Sequence, residues 1–455
     1  GLYLHTVDRS RLDFDFRNQC SVCLREFNCY ACLVCGQYFH GRGPTTHAAL
    51  HALNEGHHVF IHTDTLEVYI LPDNLRVVDR SLDDIRHVLK PQYTRADVAA
   101  LHRPPPSEAL RDGAAVAPWP RDLDGKPYLP GFMGITNSLT HAYATVVLLM
   151  LAHMPPLRDY LLLHDIDAQR ATHRRIVAVL TAFTRRLWNA RAFRAHVSVD
   201  YLLQLLEGRP AGGAGATASS SSAAAASSRP RHPIDALMSL IHMVNSGLTA
   251  ARAPPVLARA ITGQIRIESQ SAAVAPATTA TATATATATT TTTTLRPFVT
   301  LALDLPVPPV FQDDHDTQVV PQVELGALLA KYTQPSTWQV QRGAPVRYAL
   351  VALPSYLILT YRRQPARAMA AHNPTIVHFD PERLTLAAAD GPPATYRLIA
   401  NVAHSLRGSL SESPYLAHLR STTQGKWFVL EGMRVTPIAA EMIPLAECCV
   451  QIWER

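Results

Sequence analysis

The chain has 455 residues, 47% of them hydrophobic, a length and composition that suit a globular protein of two or three domains. Its formal net charge is +6 and arginine far outnumbers lysine among its 42 basic residues, which alone is weak evidence for nucleic-acid binding. Its seven cysteines are grouped near the two ends, which excludes a disulfide framework and favours a reducing cytosolic or nuclear compartment. The longest apolar stretch, residues 144–154, is interrupted by His153 and is too short to span a bilayer, so no membrane contact is expected.

Eight potential metal ligands lie close together near the start of the chain. They are two Cys-x-x-Cys pairs followed by four histidines: Cys20, Cys23, Cys32, Cys35, His40, His47, His51 and His57. A Cys pair of this spacing binds one tetrahedral zinc, and two further Cys or His ligands complete a structural site. Two Cys and two neutral His roughly neutralise each ion, which favours mixed sites, although spacing leaves open which His pair joins which Cys pair. The sequence therefore predicts two zinc ions.

Other interpretations of these residues are weaker. Serial DNA-reading fingers would complete each Cys pair with its own His pair, whereas here both Cys pairs come first. A redox Cys-x-x-Cys motif leaves the four histidines unexplained. Residues 45–54 are predicted to form a short helix that ends at Gly56, which would place His47 and His51 on one face.

The run CLVCGQYFHGRG at residues 32–43, followed by spaced histidines, resembles the ubiquitin-hydrolase-type zinc finger. This resemblance implies two interleaved zinc sites, one formed by Cys20, Cys23, His40 and His47 and the other by Cys32, Cys35, His51 and His57. Some members of that family bind the C-terminal diglycine of ubiquitin with an arginine and aromatic walls. Arg42 matches that arginine, and Tyr30 and Tyr69 stand where tryptophan is common, so the resemblance also implies a ubiquitin-tail pocket.

Proline marks the boundary that follows this module. Residues 81–90 have helical spacing, with Ser81 as the predicted N-cap and Asp84 at the third helical position. Residues 105–127 have linker composition. The sequence thus predicts a zinc-finger domain with a helical extension at 1–104, a Pro-rich linker, and a second domain at 128–455.

The second domain is predicted to begin with helices and to end with strands, an α+β order. Residues 167–193 have the pattern of an amphipathic helix crowded with arginine, interpreted mainly as a solvated basic face and less as a strip for phosphates. From residue 298, alternating apolar and polar runs indicate strands. Low-complexity inserts at about 208–232 and 270–295 have too little to bury and are predicted to be disordered.

Residues 134–149 resemble the nucleophile box of ubiquitin-specific proteases, in which a cysteine begins a buried helix. Gly134, Asn137 and Tyr143 match the frame, but Ala142 stands at the position of the nucleophile. No cysteine occurs between residues 36 and 447, so a thiol protease built here lacks its nucleophile. The resemblance implies a papain-like ubiquitin-specific-protease fold, with a helical half followed by a β-rich half.

The region that resembles the His box of the same proteases is also altered. Pro414 stands at the general-base position, and Glu431 stands near the orienting acid, where it has no base to orient. The sequence therefore predicts a pseudoenzyme with no catalytic residues.

Five runs lie outside the general protease motifs: RSRLDFDF at 9–16, SLDDIRHVLKP at 81–91, LWN at 187–189, AHVS at 195–198 and NPTIVHF at 373–379. With them the chain, apart from its inserts, resembles the inactive ubiquitin-specific-peptidase homologues of the spliceosome, the snRNP assembly defective family. This resemblance implies a nuclear splicing scaffold that stabilises the tri-snRNP and contacts the snRNA-unwinding helicase and the large GTPase, with snRNA contact left open. A ubiquitin-binding adaptor is the alternative, and an active deubiquitinase is the least favoured.

Overall fold

The computed structural model describes residues 3–104, 119–136, 141–166, 172–206, 232–272, 289–306, 320–334, 338–341, 344–363, 373–405 and 414–455. The chain divides into two compact units, Gly1–Pro254 with Ser421–Thr436 and Pro255–Arg420 with Pro437–Arg455. Most of the predicted linker, nearly all of the first insert and much of the second lie outside the described residues. The domain boundaries given above therefore stay predictions.

The first unit begins with a five-stranded antiparallel sheet in the order β2-β1-β3-β4-β5. Its strands are β1 (Cys29–Cys32), β2 (Tyr38–His40), β3 (Val59–His62), β4 (Val68–Ile70) and β5 (Leu75–Val77), with helix α1 (His47–Glu55) between β2 and β3. Alternate residues of the central strands are buried in two different cores. Ala31 and Ile61 belong to one core, and Tyr30 and Phe60 belong to the other. Helix α1 ends at Gly56 with φ 68°, as predicted, because glycine adopts the left-handed conformation without strain.

Helices dominate the rest of the first unit. They are α2 (Asp83–Leu89), α3 (Arg95–Leu101), α4 (Ala142–Ala152), α5 (Pro155–Leu163), α6 (Thr172–Leu187), α7 (Asp200–Leu206) and α8 (Pro233–Ala250). The short strands β6 (Gly134–Thr136) and β7 (His196–Ser198) pair in parallel, and β19 (Lys426–Glu431) also belongs to this unit. Strand β20 (Arg434–Ile438) follows β19 in the chain. Helix α4 is buried almost all round because it is apolar on every face.

The second unit is mainly β-structure. Its elements are α9 (Val256–Ile261), β8 (Gly263–Ala272), β9 (Thr289–Phe298), β10 (Leu301–Asp304), β11 (Gln322–Glu324), α10 (Leu325–Thr333), β12 (Gln339–Gln341), β13 (Ala344–Ala352), β14 (Tyr356–Arg362), β15 (Ile376–His378), β16 (Leu384–Ala388), β17 (Gly391–His404), β18 (Tyr415–Ser421) and β21 (Glu447–Glu454). Strands β10-β14-β21-β17-β18 form one sheet, with β16 beside β17, and β12-β13-β8-β9 form another. The predicted succession of helices and then strands is confirmed.

The predicted cap of helix α2 is wrong. Helix α2 begins at Asp83, and the Ser81 N–H is bonded instead by Asp79, so Ser81 is not its cap. The capping box of this region is formed by Thr94 and Asp97 at α3.

The Thr/Ala tract is also not wholly without structure, since Thr289–Phe298 forms β9 and pairs with β8 over ten positions. Threonine is β-branched and favours strands once a partner strand is present.

Among the described residues, no single helix is long and apolar enough to cross a membrane. Helices α4 and α5 reach that length only together, as a pair bent by 79°.

Candidate metal centres and a charged joint

Four predicted ligands form a tight cluster at the second Cys pair. The donor atoms of Cys32, Cys35, His51 and His57 all lie within 4.8 Å of one another. Cys35 Sγ is 3.4 Å from His51 Nε2, which is 3.0 Å from His57 Nδ1. Zinc bonds of about 2.0 to 2.3 Å place tetrahedral ligands roughly 3.3 to 3.8 Å apart, so this donor set fits a closed zinc site.

At the first Cys pair the structure brings together three of the four predicted ligands. The donor atoms of Cys20, Cys23 and His47 lie within 4.8 Å of one another, with Cys20 Sγ 3.4 Å from His47 Nδ1. The fourth, His40 on β2, does not join this cluster, and its ring packs edge-on against Phe27 with centroids 5.4 Å apart. The backbone of His40 nevertheless hydrogen-bonds to Cys20, so His40 lies beside the cluster.

Hydrogen bonds around both pairs favour ionised sulfur. Burial acts to raise the pKa of Cys20, but backbone hydrogen bonds at Cys23 and Val22 outweigh it and lower this pKa to about 7. A hydrogen bond with the Cys32 thiol lowers the pKa of Cys35 far below its ordinary value. Because zinc binds thiolate rather than thiol, each cluster contains a sulfur that suits the metal near neutral pH.

The three residues of the predicted ubiquitin-tail pocket lie together, and both tyrosines are buried. The Arg42 guanidinium stacks over the Tyr69 ring at 4.2 Å and donates to Asn74 Oδ1 at 3.0 Å. The Tyr30 and Tyr69 ring centroids are 6.1 Å apart, and the two residues are only 4% and 7% exposed. The Tyr69 hydroxyl donates to Glu67, which places a carboxylate beside this group. The aromatic walls are therefore packed against the protein's own side chains.

The positions that the sequence predicts to be degenerate catalytic ones lie in both units. In the first unit, Ala142 is the buried first residue of α4 and Glu431 is the half-buried last residue of β19. The frame residue Gly134 has a packing role, since a Cβ there would lie 2.8 Å from the Met433 carbonyl oxygen. In the second unit, Pro414 lies exposed just before β18, and its carbonyl accepts the Ser405 N–H.

The two C-terminal cysteines are core residues of β21. Cys448 and Cys449 are fully buried. Burial raises the pKa of Cys448 to about 11 and raises the pKa of Cys449 further. A buried thiol with a raised pKa is a poor nucleophile at neutral pH.

The prediction of a solvated basic face on α6 is wrong for three arginines on and just after this helix, which pair with acidic residues from the start of the chain. Arg191 is exposed, as predicted. The pairs are Arg175 with Glu26 at 2.5 Å, Arg186 with Asp15 at 3.8 Å, and Arg194 with Asp13. We call these six residues the charged joint. It connects the part of the first unit that carries the Cys/His clusters to the helices of that unit.

The run RSRLDFDF supplies one side of the charged joint. Leu12 and Phe14 are buried in the core that also contains Phe193. Asp13 and Asp15, which alternate with them, form the ion pairs, and Asp15 also accepts the Ser198 N–H at 2.9 Å. Burial raises the pKa of Asp15, with Arg186 opposing this effect. The alternation of apolar and acidic residues places Asp13 and Asp15 on one side of this segment but does not identify their partners.

Further runs outside the protease motifs meet at the same place. His87 Nε2 lies 3.0 Å from Asn189 Oδ1, which links SLDDIRHVLKP to LWN. Ser198, the partner of Asp15, is the last residue of AHVS. Nearby, the Tyr93 hydroxyl donates to the Arg185 carbonyl at 2.6 Å. Four of the five distinctive runs therefore form internal contacts of the first unit.

Comparisons with known proteins agree with this architecture. Residues 20–82 match the family described as "Zn-finger in ubiquitin-hydrolases and other protein". The chain is 34% identical to the Homo sapiens protein named "Ubiquitin carboxyl-terminal hydrolase 39", with 100% of the chain and 79% of that protein covered. It is 33% identical to "Probable mRNA-splicing protein ubp10" of Schizosaccharomyces pombe, with 100% and 88% covered. The chain belongs to this family of ubiquitin-hydrolase-like splicing proteins.

Solved structures show the fold of this splicing family. The crystal structure described as that of an essential yeast splicing factor matches with a TM-score of 0.76 at 28% identity, covering 100% of the chain and 99% of that protein. A structure described as the SAGA DUB module with Ubp8, bound to monoubiquitin, matches with a TM-score of 0.51 at 16% identity over 97% and 90%. The second match shows the fold alone. A zinc finger followed by a ubiquitin-specific-protease fold, both predicted from the sequence, is thereby confirmed.

Proposed function

We propose that the chain is a non-catalytic scaffold of pre-mRNA splicing that stabilises the tri-snRNP in the nucleus. The observation that carries this proposal is the match along the whole chain to proteins named for mRNA splicing. Its partners are spliceosomal proteins, and we include among them the snRNA-unwinding helicase and the large GTPase of the tri-snRNP. The chain acts by binding these partners through its surfaces and does not catalyse a reaction.

Affinity purification from nuclear extract tests this function. The tagged full chain should recover tri-snRNP proteins together with their snRNAs. A chain carrying Ala at Cys32 and Cys35 serves as the control, because loss of the second zinc cluster should unfold its docking surfaces. Recovery of neither snRNA nor splicing proteins by the wild-type chain would contradict the proposal.

The loss of catalysis is part of the same proposal. Ala142 has no group that attacks a carbonyl, Pro414 has no imidazole, and Glu431 consequently has no base to orient. Cys448 and Cys449 are buried with raised pKa values. A ubiquitin molecule with a C-terminal electrophile should therefore form no covalent adduct. An adduct that disappears in Cys448→Ser or Cys449→Ser would show an active deubiquitinase instead.

We further propose that each Cys/His cluster binds one zinc ion and that His40 completes the first. Bound zinc would supply cross-links between β1, β2 and α1. Elemental analysis should give two zinc ions per wild-type chain and about one in His40→Ala and in His51→Ala. The exposed His5 provides the control, since His5→Ala should retain two. An unchanged zinc content in His40→Ala would remove His40 from the site.

The ubiquitin-reader alternative is less well supported. Arg42 already stacks on Tyr69, the ring that would have to contact a ubiquitin tail. Calorimetry with ubiquitin should therefore show no heat of binding, with Arg42→Ala indistinguishable from wild type. Heat that requires both Arg42 and the terminal diglycine would support the reader.

A further inference from the structure

Large apolar side chains are exposed around the first Cys pair. Val22, Leu24 and Phe27 are 62%, 53% and 63% exposed, and Leu50 and Leu53 on α1 are 41% and 61% exposed. We call these five residues the knuckle patch. Single exposed apolar residues are ordinary, but a group of them is typical of a protein interaction site.

The geometry of the first Cys pair keeps this patch together. Cys20 Sγ lies 3.4 Å from His47 Nδ1, which joins the turn that carries Val22 to the start of α1. Leu50 lies one turn after His47 on α1 and Leu53 one turn after Leu50, so the two leucines are neighbours on the exposed side of the helix. Phe27 packs against the ring of His40, the residue beside this cluster. The patch therefore surrounds one structural centre.

Leu24 occupies an unusual place in the patch. It follows Cys23 directly and has φ 60°, in the left-handed region that is unfavourable for a large non-glycine residue. The Cys-x-x-Cys turn imposes this conformation, because the Leu24 N–H donates to the Cys20 carbonyl at 3.0 Å, just as the N–H of Gly36, with φ 79°, donates to the Cys32 carbonyl at 2.9 Å. Glycine would fit this position without strain, yet the chain has a leucine whose side chain is more than half exposed. The turn therefore presents a large apolar side chain at the surface.

The charges around the patch indicate the chemistry of its partner. Arg25 is exposed, and its guanidinium lies 5.9 Å from the Phe27 ring. The adjacent carboxylate of Glu26 is paired with Arg17 and with Arg175 of the charged joint. The patch thus presents a cation among apolar side chains, which suits an apolar segment with a carboxylate better than a polyanion.

We propose that the knuckle patch docks an apolar segment of a tri-snRNP protein that carries an acidic residue opposite Arg25. This inference rests on the proposed scaffold function and specifies one of its surfaces. The partner is a protein, not RNA, and it contacts Val22, Leu24, Phe27, Leu50 and Leu53.

Binding of the full chain to purified tri-snRNP tests the patch. Leu24→Gly should keep or raise the melting temperature, because glycine relieves the left-handed strain, yet weaken binding at least tenfold. Phe27→Ser should weaken binding similarly. Val78→Ser is the matched control, since Val78 is 85% exposed and follows β5, at the opposite edge of the sheet from β2. It should bind like wild type.

The outcomes separate the patch from the scaffold function. Wild-type affinity in both Leu24→Gly and Phe27→Ser would overturn the patch and leave the scaffold function standing. Failure of the wild-type chain to bind tri-snRNP would overturn both proposals.

The chemistry of the partner has its own test. Arg25→Glu should weaken binding at least tenfold, whereas Arg25→Lys should largely preserve it. Replacement of Phe27 by the photoreactive benzoylphenylalanine should cross-link a protein segment with Asp or Glu within a few residues. The same replacement at Val78 is the control for non-specific cross-linking. A cross-link to snRNA, or to a segment without a carboxylate, would contradict the proposal.

Discussion

Arg363 is a cation buried in the second unit, with only 1% of its surface exposed. Its guanidinium group donates to the carbonyl oxygens of Cys448 at 2.7 Å, Asn373 at 2.8 Å and Thr375 at 2.9 Å. These bonds connect β21 to the start of the run NPTIVHF. That run, the fifth of the distinctive ones, thus also has a structural role within the chain.

Replacing Arg363 should be costly for the second unit. Arg363→Met leaves three buried carbonyls without their donor, and we expect a loss of about 3 kcal/mol or more in the free energy of unfolding. Urea denaturation followed by circular dichroism measures it. Arg362→Met, at the exposed end of β14, should change stability by less than about 0.5 kcal/mol. If the two substitutions changed the free energy of unfolding equally, the buried hydrogen bonds of Arg363 would not be the source of its stabilising effect.

Buried histidines make stability depend on pH. His418 on β18 is 3% exposed, with Nδ1 3.0 Å from Asn401 Nδ2, and burial lowers its pKa to about 4. Burial also lowers the pKa of His153, in the first unit, to about 4. The unfolded chain binds these protons near pH 6.5 and the folded chain does not. Their stabilising effect is therefore complete above about pH 6.5 and is lost as the pH falls towards 4.

We expect His418→Gln to reduce this acid sensitivity. For a pKa of about 4 in the folded chain, acidification from pH 7.5 to 5 costs on the order of 2 kcal/mol per histidine, and the variant should lose its share. Urea unfolding at the two pH values measures the difference, and comparison with His5→Gln cancels acid effects at the metal clusters. Identical pH dependence in the two variants would exclude His418 as a source.

At the scale of elements, the charged joint holds two parts of the first unit together. Asp13→Lys should place like charges beside Arg194 and lower the free energy of unfolding by about 1 to 2 kcal/mol. Adding Arg194→Glu should restore most of that loss, because the pair is then reversed rather than broken. Thermal unfolding of the wild type and the three variants forms a double-mutant cycle. A coupling energy near zero would mean that the pair contributes nothing.

Sequence patterns predicted those helices and strands whose formation depends on residues close together in the sequence. Helix α1 and its end at Gly56 follow from spacing and a left-handed glycine, and strands such as β14 and β21 follow from apolar runs between breakers. Strand β9 was missed because its polar threonines become a strand only beside β8. The cap of α2 was misplaced because Asp79 competes successfully for the Ser81 N–H.

The functional residues also fall into a part that the sequence predicted and a part that it did not. Residue types and spacing predicted the two Cys/His clusters except for His40, since Cys-x-x-Cys turns and an α1 histidine pair are short-range features. The charged joint could not be predicted, because Asp13 and Arg194 lie 181 residues apart and each alone has the composition of an exposed charge. The knuckle patch could not be predicted either, because the folded structure determines which apolar side chains are buried in a core and which stay exposed.

At the scale of the whole molecule, the zinc clusters and the helices α4 to α8 belong to one compact unit. Chelation of zinc should therefore disturb more than the zinc finger. Trp188, whose indole N–H donates to the Ala152 carbonyl, reports on the helices. We expect its fluorescence to change on treatment with a strong chelator and to recover when zinc is restored. An unchanged Trp188 environment would show that the helices fold independently of metal.

The charged joint also determines what the chain presents to nucleic acid. While the joint is formed, Arg175, Arg186 and Arg194 are neutralised by the chain's own carboxylates. A chain without zinc would release those carboxylates and uncover a row of arginines, which binds polyanions without regard to sequence. Metal-free protein should therefore be retained on heparin at salt concentrations that elute the zinc-loaded form. Zinc loading would then decide whether this protein binds polyanions indiscriminately or keeps its arginines paired within its own fold.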